Sequence, residues 1–271
     1  MFLTRLASSI VIIFVYIMVF LFSNTILLNL FVAFIGVCCV YELFKCTKYR
    51  EAKSYLIPSL LVPLITAFSD YLNIPVFIIF IVYILIAFTW LIITYKKTDI
   101  INIFVLSFFT LYATFGIYGA IGLREIAANN YSFDFKFIFI LFFGASASDM
   151  FAYLVGMAVG KHKLVPLLSP NKTIEGAVGG IMGTAVLAFI YGTLINRYFD
   201  LSINLLLLTV LGIIISIAGQ MGDLAGSLIK RFYNIKDYSK IIPGHGGVMD
   251  RVDSILFSTP VIFLFFYFLK L

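Results

Sequence analysis

Charge is scarce in this chain. Only 12% of its 271 residues are Asp, Glu, Lys or Arg, about half the share of an average soluble domain, which excludes a water-soluble globule. Cysteine is scarce too. Cys38 and Cys39 adjoin inside an apolar run and Cys46 lies just beyond it; that spacing suits neither a zinc site nor a disulfide framework, and all three read as small apolar residues. The chain lacks an internal repeat and any polar linker, so neither a solenoid nor a detached soluble domain is expected. No small-residue cleavage site follows the apolar stretch after Arg5, and the first span is therefore expected to remain uncleaved.

What remains is apolar. These residues make up 62% of the chain, and the mean hydropathy is +1.10. A helix needs about 20 mostly apolar residues to cross a bilayer, and such stretches follow one another here. Strands of a membrane barrel would alternate polar and apolar residues, whereas these runs are apolar on every face. The predicted fold is all-α, a polytopic helical integral membrane protein.

Polar breaks mark nine spans, near 6–22, 25–44, 55–70, 74–95, 101–123, 137–159, 177–195, 201–222 and 249–269. The third is short and carries Pro58 and Pro63, which a membrane helix tolerates as a bend. Lys and Arg favour the cytoplasmic side. Alternating the loops puts Arg5, Lys45, Lys48, Arg50, Lys53, Lys96, Lys97, Lys161, Lys163, Lys172, Lys230, Arg231, Lys236, Lys240 and Arg251 on one side. Only Arg124, Lys136, Arg197 and Lys270 fall opposite. The N-terminus and the polar loops are thus predicted to be cytoplasmic, in the cell (inner) membrane, with the C-terminus outside. The net charge of +6 reflects this topology, and no nucleic-acid partner is expected.

The chain changes character along its length. Residues 1–135 form N-terminal spans with few polar groups, suited to packing or to an interface such as a homodimer's. Residues 136–271 hold polar groups where lipid would penalise them, and form the expected catalytic region. Asp149 lies inside the sixth span; an acid at that depth is by default functional. Its small neighbours Gly144 to Ser148 also fit close helix packing, with Asp149 as a polar clasp. The loop from Gly160 to Gly180 carries Lys161, Lys163 and Lys172, with Ser169, Thr173 and glycine backbone as phosphate donors just ahead of a helix start. An ordinary basic loop suffices to explain Lys161 and Lys163, with His162 an interfacial polar residue, whereas Lys172 inside SPNKT is read as functional.

Asp223 ends the eighth span, and Ser227 would share its face if helix continues. Asp250 and Asp253 open the ninth. Carboxylates meeting among basic residues suit magnesium, which takes one or two of them plus substrate phosphates; salt bridges to Arg231 and Arg251 are the alternative. Between these acids, Lys230, Arg231, Lys236 and Lys240 can neutralise a triphosphate. Pro243, Gly244, His245, Gly246 and Gly247 form a turn with accessible N–H groups, and His245 is placed to donate to phosphate or to ligate metal.

In this segment Ser227, Lys230, Arg231, Lys236, Asp237, Pro243, His245, Gly246, Gly247, Asp250, Arg251 and Asp253 resemble the signature of the phosphatidate cytidylyltransferases (CDP-diacylglycerol synthases). The upstream GKHKL, SPNKTIEG and Asp149 segments look similar as well. Ser239 stands where the family frequently has glycine, Met150 where it often has Thr, and Asn171 where Gly or Lys is common. The resemblance implies that CTP and phosphatidate give CDP-diacylglycerol and pyrophosphate, with Mg2+ and room for a second metal or a monovalent cation. It implies Asp223 and Asp250 as metal ligands. Lys172, Lys230, Arg231, His245 and Arg251 would hold phosphates, with Ser227, Lys236, Lys240, Gly246 and Gly247 also at the substrate, while Asp149 and Asp253 orient those cations or complete the metal shell. Phosphatidate would enter from membrane lipid and CTP from the cytosol. Competing readings are a cytidylyltransferase for another lipid phosphate, an ion or solute transporter using Asp149 and Asp223, and a scaffold. The asymmetry of the halves argues against the transporter, and a scaffold has no need of the His-Gly-Gly turn.

Overall fold

A computed structural model of the chain describes residues 14–15, 17–23, 25–47, 53–96, 100–129, 143–199, 202–244 and 246–269. Residues 17–21 are helical. The following elements are α1 (Ile26–Cys46), α2 (Lys53–Ala67), α3 (Ser69–Leu72), α4 (Val76–Thr94), α5 (Ile100–Asn129), α6 (Phe143–Val159), β1 (Lys163–Val165), β2 (Ser169–Thr173), α7 (Ile174–Tyr198), α8 (Leu205–Phe232) and α9 (Met249–Leu269). Helix is what such apolar runs must form, because lipid offers no partner to a free backbone group. Local signals set the ends. Thr25 Oγ1 accepts from Leu27 N at 3.2 Å to open α1, and Thr173 Oγ1 accepts from Gly176 N at 3.1 Å to open α7, both ordinary N-caps.

The described residues include six helices long and apolar enough to cross a membrane: α1, α4, α5, α7, α8 and α9. Two shorter apolar helices, Tyr55–Ala67 and Phe143–Val159, occupy the third and sixth expected spans. Residues 6–13 of the first expected span and 137–142 of the sixth lie outside the described residues, as does the expected boundary at residue 135. The chain is a multi-pass helical membrane protein. Among the described residues, a small antiparallel hairpin, β1 with β2, pairs Lys163 with Thr173 and Val165 with Ser169.

Two compact units divide the chain. One comprises residues up to Ile121 together with Phe232–Val252; the other comprises Gly122–Arg231 and the residues from Asp253 on. In the first, Asn29 Nδ2 donates to Ala67 O at 2.5 Å. Buried Tyr55 there shares its hydroxyl with Ser107 Oγ at 2.5 Å and Tyr83 at 3.1 Å. In the second, Ser148 and Ser216 meet at 2.6 Å, and Gln220 Nε2 donates to Ala177 O at 3.1 Å. These contacts satisfy polar groups held away from water, while Thr66 Oγ1, Trp90 Nε1 and Thr110 Oγ1 of the first unit are buried without a hydrogen-bond partner among the described residues.

Candidate active site

The second unit gathers polar residues from four separate elements. α8 runs to Phe232, ten residues past the end expected at 222, because Leu224, Ala225, Leu228, Ile229 and Phe232 keep an apolar face turning with the helix. Asp223, Ser227, Lys230 and Arg231 therefore stand on helix rather than in a loop. Lys172 Nζ, from β2, makes an ion pair with Asp223 Oδ2, and both side chains are about a quarter exposed, 25% and 28%. Ser254 Oγ, from α9, donates to Asp149 Oδ2 of α6 at 3.2 Å. Asp253 is buried, and its Oδ1 accepts from Ser254 N at 2.8 Å.

Asp149, Asp223 and Asp253 lie within electrostatic range of one another; Lys172 acts on Asp149, and Lys230 on Asp253. Two glycines permit this. A Cβ on Gly222 would stand 2.6 Å from Asp253 O, and one on Gly226 2.9 Å from Asp253 Oδ2, so only glycine lets α9 come this close to α8. Asp223 is thus paired with Lys172 and Asp149 with Ser254. Arg231 Nε donates to Leu168 O at 3.3 Å, holding the hairpin turn to α8.

The hairpin is fixed at its base as well. Ile174 N donates to His162 O at 2.9 Å, and Glu175 accepts from Lys161 N at 3.1 Å and His162 N at 3.2 Å. His162 Nδ1 lies 2.6 Å from Glu175 Oε1 on the exposed side. Lys161 and Lys163 are exposed.

In the first unit, residues 233–248 turn between α8 and α9. Gly244 and Gly246 adopt φ of 79° and 87°, a left-handed backbone that favours glycine. Ile242 N donates to Gly246 O at 2.9 Å. Asp250 Oδ2 accepts from both Tyr238 N and Gly247 N at 3.0 Å, so this carboxylate also shapes the turn. Lys236, Lys240 and Arg251 are exposed; His245 lies outside the described residues. Glu42 of α1 is the residue that motif reading passes over. Its carboxylate accepts from Ser239 Oγ at 2.5 Å, Val248 N at 2.9 Å and Met249 N at 2.8 Å. The signal was present, since Glu42 is an acid inside an expected span, as Asp149 is.

Among the described residues no three His, Cys, Asp or Glu side chains gather as a ready-made metal site. Magnesium requires only one or two carboxylates besides phosphate oxygens. The second unit's cluster sets Asp149, Asp223 and Asp253 against Lys172 and Lys230, three carboxylates facing two ammonium groups.

Comparison with known proteins agrees with this chemistry. The cytidylyltransferase family matches residues 3–269. The phosphatidate cytidylyltransferase of Staphylococcus epidermidis is 41% identical over 127 residues, covering 47% of this chain and 47% of that protein. The enzyme of the same name from Bacillus subtilis is 45% identical over 123 residues, 45% of this chain and 43% of the relative. That of Staphylococcus haemolyticus is 44% identical over 115 residues, 42% and 43% respectively. Over these matches the chain spans about half the length of the curated relatives, or a little less.

Proposed function

The chain belongs to the cytidylyltransferase family, and from that premise we propose that it transfers the cytidylyl group of CTP to phosphatidate, giving CDP-diacylglycerol and pyrophosphate. One observation carries the reading: Asp149, Lys172, Asp223 and Asp253, from four separate elements, converge in one cluster with Lys172 paired to Asp223. Structural packing alone does not call for an acid such as Asp149 inside an apolar helix, where an ionised group at membrane depth is costly.

In the reaction a phosphate oxygen of phosphatidate attacks the α-phosphorus of CTP in line. The new P–O bond forms as the bond to the bridging α–β oxygen breaks, and pyrophosphate leaves with the electron pair. Negative charge grows on bridging and nonbridging oxygens, so fixed cations supply most of the catalysis. Lys172, Lys230, Arg231, His245 and Arg251 hold phosphates, with Ser227, Lys236 and Lys240 contributing to substrate binding. Because Gly247 N is already engaged by Asp250, side chains carry most of this work. Asp149 and Asp253 orient the lysines beside them. Asp223 and Asp250 are the residues proposed to hold magnesium, which when bound supplies charge neutralisation at the transferring phosphoryl group. No protein nucleophile is required.

The fifteen-to-four division of Lys and Arg supports a nine-span topology with cytoplasmic N-terminus and site loops and an external C-terminus. CTP then arrives from the cytosol and the lipid laterally. The test is direct. Purified protein with CTP, magnesium and phosphatidate should release pyrophosphate and form CDP-lipid; absence of product with every lipid phosphate tried refutes the reading. Product formed only with a different lipid phosphate would favour the other substrate.

A further inference from the structure

We propose that Glu42 is a positioning residue that sets the backbone of the 238–249 turn from the N-terminal helix α1. The inference rests on reading that turn as part of the phosphate-holding apparatus. Glu42 is fully buried, at 0% exposure, where an acid survives only if donors satisfy it. Three do. Ser239 Oγ and Val248 N donate to Oε1, and Met249 N donates to Oε2.

Two of these donors are the backbone N–H groups at the start of α9, which the helix itself cannot satisfy and whose dipole favours an anion. A carboxylate from more than two hundred residues earlier in the chain thus caps α9. The approach is close: a Cβ on Gly247 would lie 2.6 Å from Glu42 Oε2. Asp250 Oδ2 grips the turn at Tyr238 N and Gly247 N, both at 3.0 Å. Ser239 completes the clamp, since its hydroxyl also accepts from Ile241 N at 3.2 Å. This gives a purpose to a serine where the family frequently has glycine.

The consequence is chemical. With Gly247, Val248 and Met249 N–H groups already committed to carboxylates, the start of α9 is closed to a nucleotide phosphate. Exposed Lys236, Lys240 and Arg251 project from or beside the clamped backbone, and Glu42 decides where they stand without touching substrate.

Glu42→Gln and Ser239→Ala in the full chain test this by steady-state turnover and by limited trypsin cleavage after Lys236 and Lys240. Glu42→Gln should raise KM for CTP about tenfold or more, the scale of a lost hydrogen bond to a charged group, and should speed cleavage. Ser239→Ala should shift both the same way by a few-fold, and Glu42→Asp should restore part of the parent's values. Parent-like KM and cleavage in Glu42→Gln overturn the proposal. So does a fall in kcat with both unchanged, which would place the effect of Glu42 elsewhere than in this turn. If Glu42→Gln does not fold, Ser239→Ala decides, and unchanged KM and cleavage there overturn it. A parent protein that makes no CDP-lipid refutes the proposed reaction instead, while cleavage still tests the clamp.

Discussion

Replacing Asp223 with Asn separates the part this residue plays in folding from its part in catalysis. The substitution keeps the shape and removes one charge, so Lys172 loses its anionic partner. Two unit charges about 4 Å apart attract by about 4 kcal/mol at an effective dielectric constant near 20. With the two side chains 25% and 28% exposed, water screens much of that. The pair falls between exposed pairs, worth about 0–1 kcal/mol, and buried ones, where removing a partner costs about 3–5 kcal/mol. Relief of repulsion from Asp149 and Asp253 offsets part of the loss, leaving about 1 kcal/mol in stability. Removing a proposed metal ligand weakens the cation that neutralises transition-state charge, and losing such stabilisation costs about 10²–10³ in rate, equivalent to about 3–4 kcal/mol. Asp223→Asn should therefore remain monodisperse in detergent, with a thermal midpoint lowered by only a few degrees. Its pyrophosphate release from CTP and phosphatidate should fall at least a hundredfold per folded molecule. A rate within tenfold of the parent refutes the assignment, as does a loss of activity that merely follows the loss of folded protein.

Gly222→Ala should lower the thermal midpoint by an amount equivalent to about 1–3 kcal/mol, the usual cost of overpacking, because its Cβ would meet Asp253 O at 2.6 Å and Phe257 Cβ at 2.8 Å; a parent-like midpoint contradicts the close packing of α8 on α9. An impermeant label directed to a tag after Leu271 should react in intact cells, and labelling only after the membrane is opened overturns the proposed sidedness.

Much of the candidate site was legible where charge is concentrated. Asp149 declares itself because an acid among apolar residues needs a reason, and the spacing of Lys230, Arg231, Asp250 and Asp253 carries the family resemblance on its own. Partnership was not legible. Lys172 finds Asp223, and Ser254 finds Asp149, across separations that only helix packing determines. Hydropathy ends α8 at 222, since it registers the apolar run and not the amphipathic turns beyond, which hold Ser227 and Lys230 on helix. The β1–β2 hairpin escaped because Lys163, Pro166 and Pro170 break the alternation by which strands are recognised. Glu42 obeys the same rule as Asp149 but lies far from any motif, and its importance appears only when its hydrogen-bond donors are seen.

The bond between Glu42 and the turn before α9 also has a bearing on biogenesis. The ribosome makes α1 first, and proteins generally fold in order of synthesis. The carboxylate that caps α9 is thus in place long before Ser239, Val248 and Met249 emerge, and the turn takes its hydrogen-bonded form by docking onto an existing template. A C-terminal fragment made alone would carry every signature residue yet lack that template. The signature residues are complete in their letters but depend for their shape on α1, more than two hundred positions earlier in the chain.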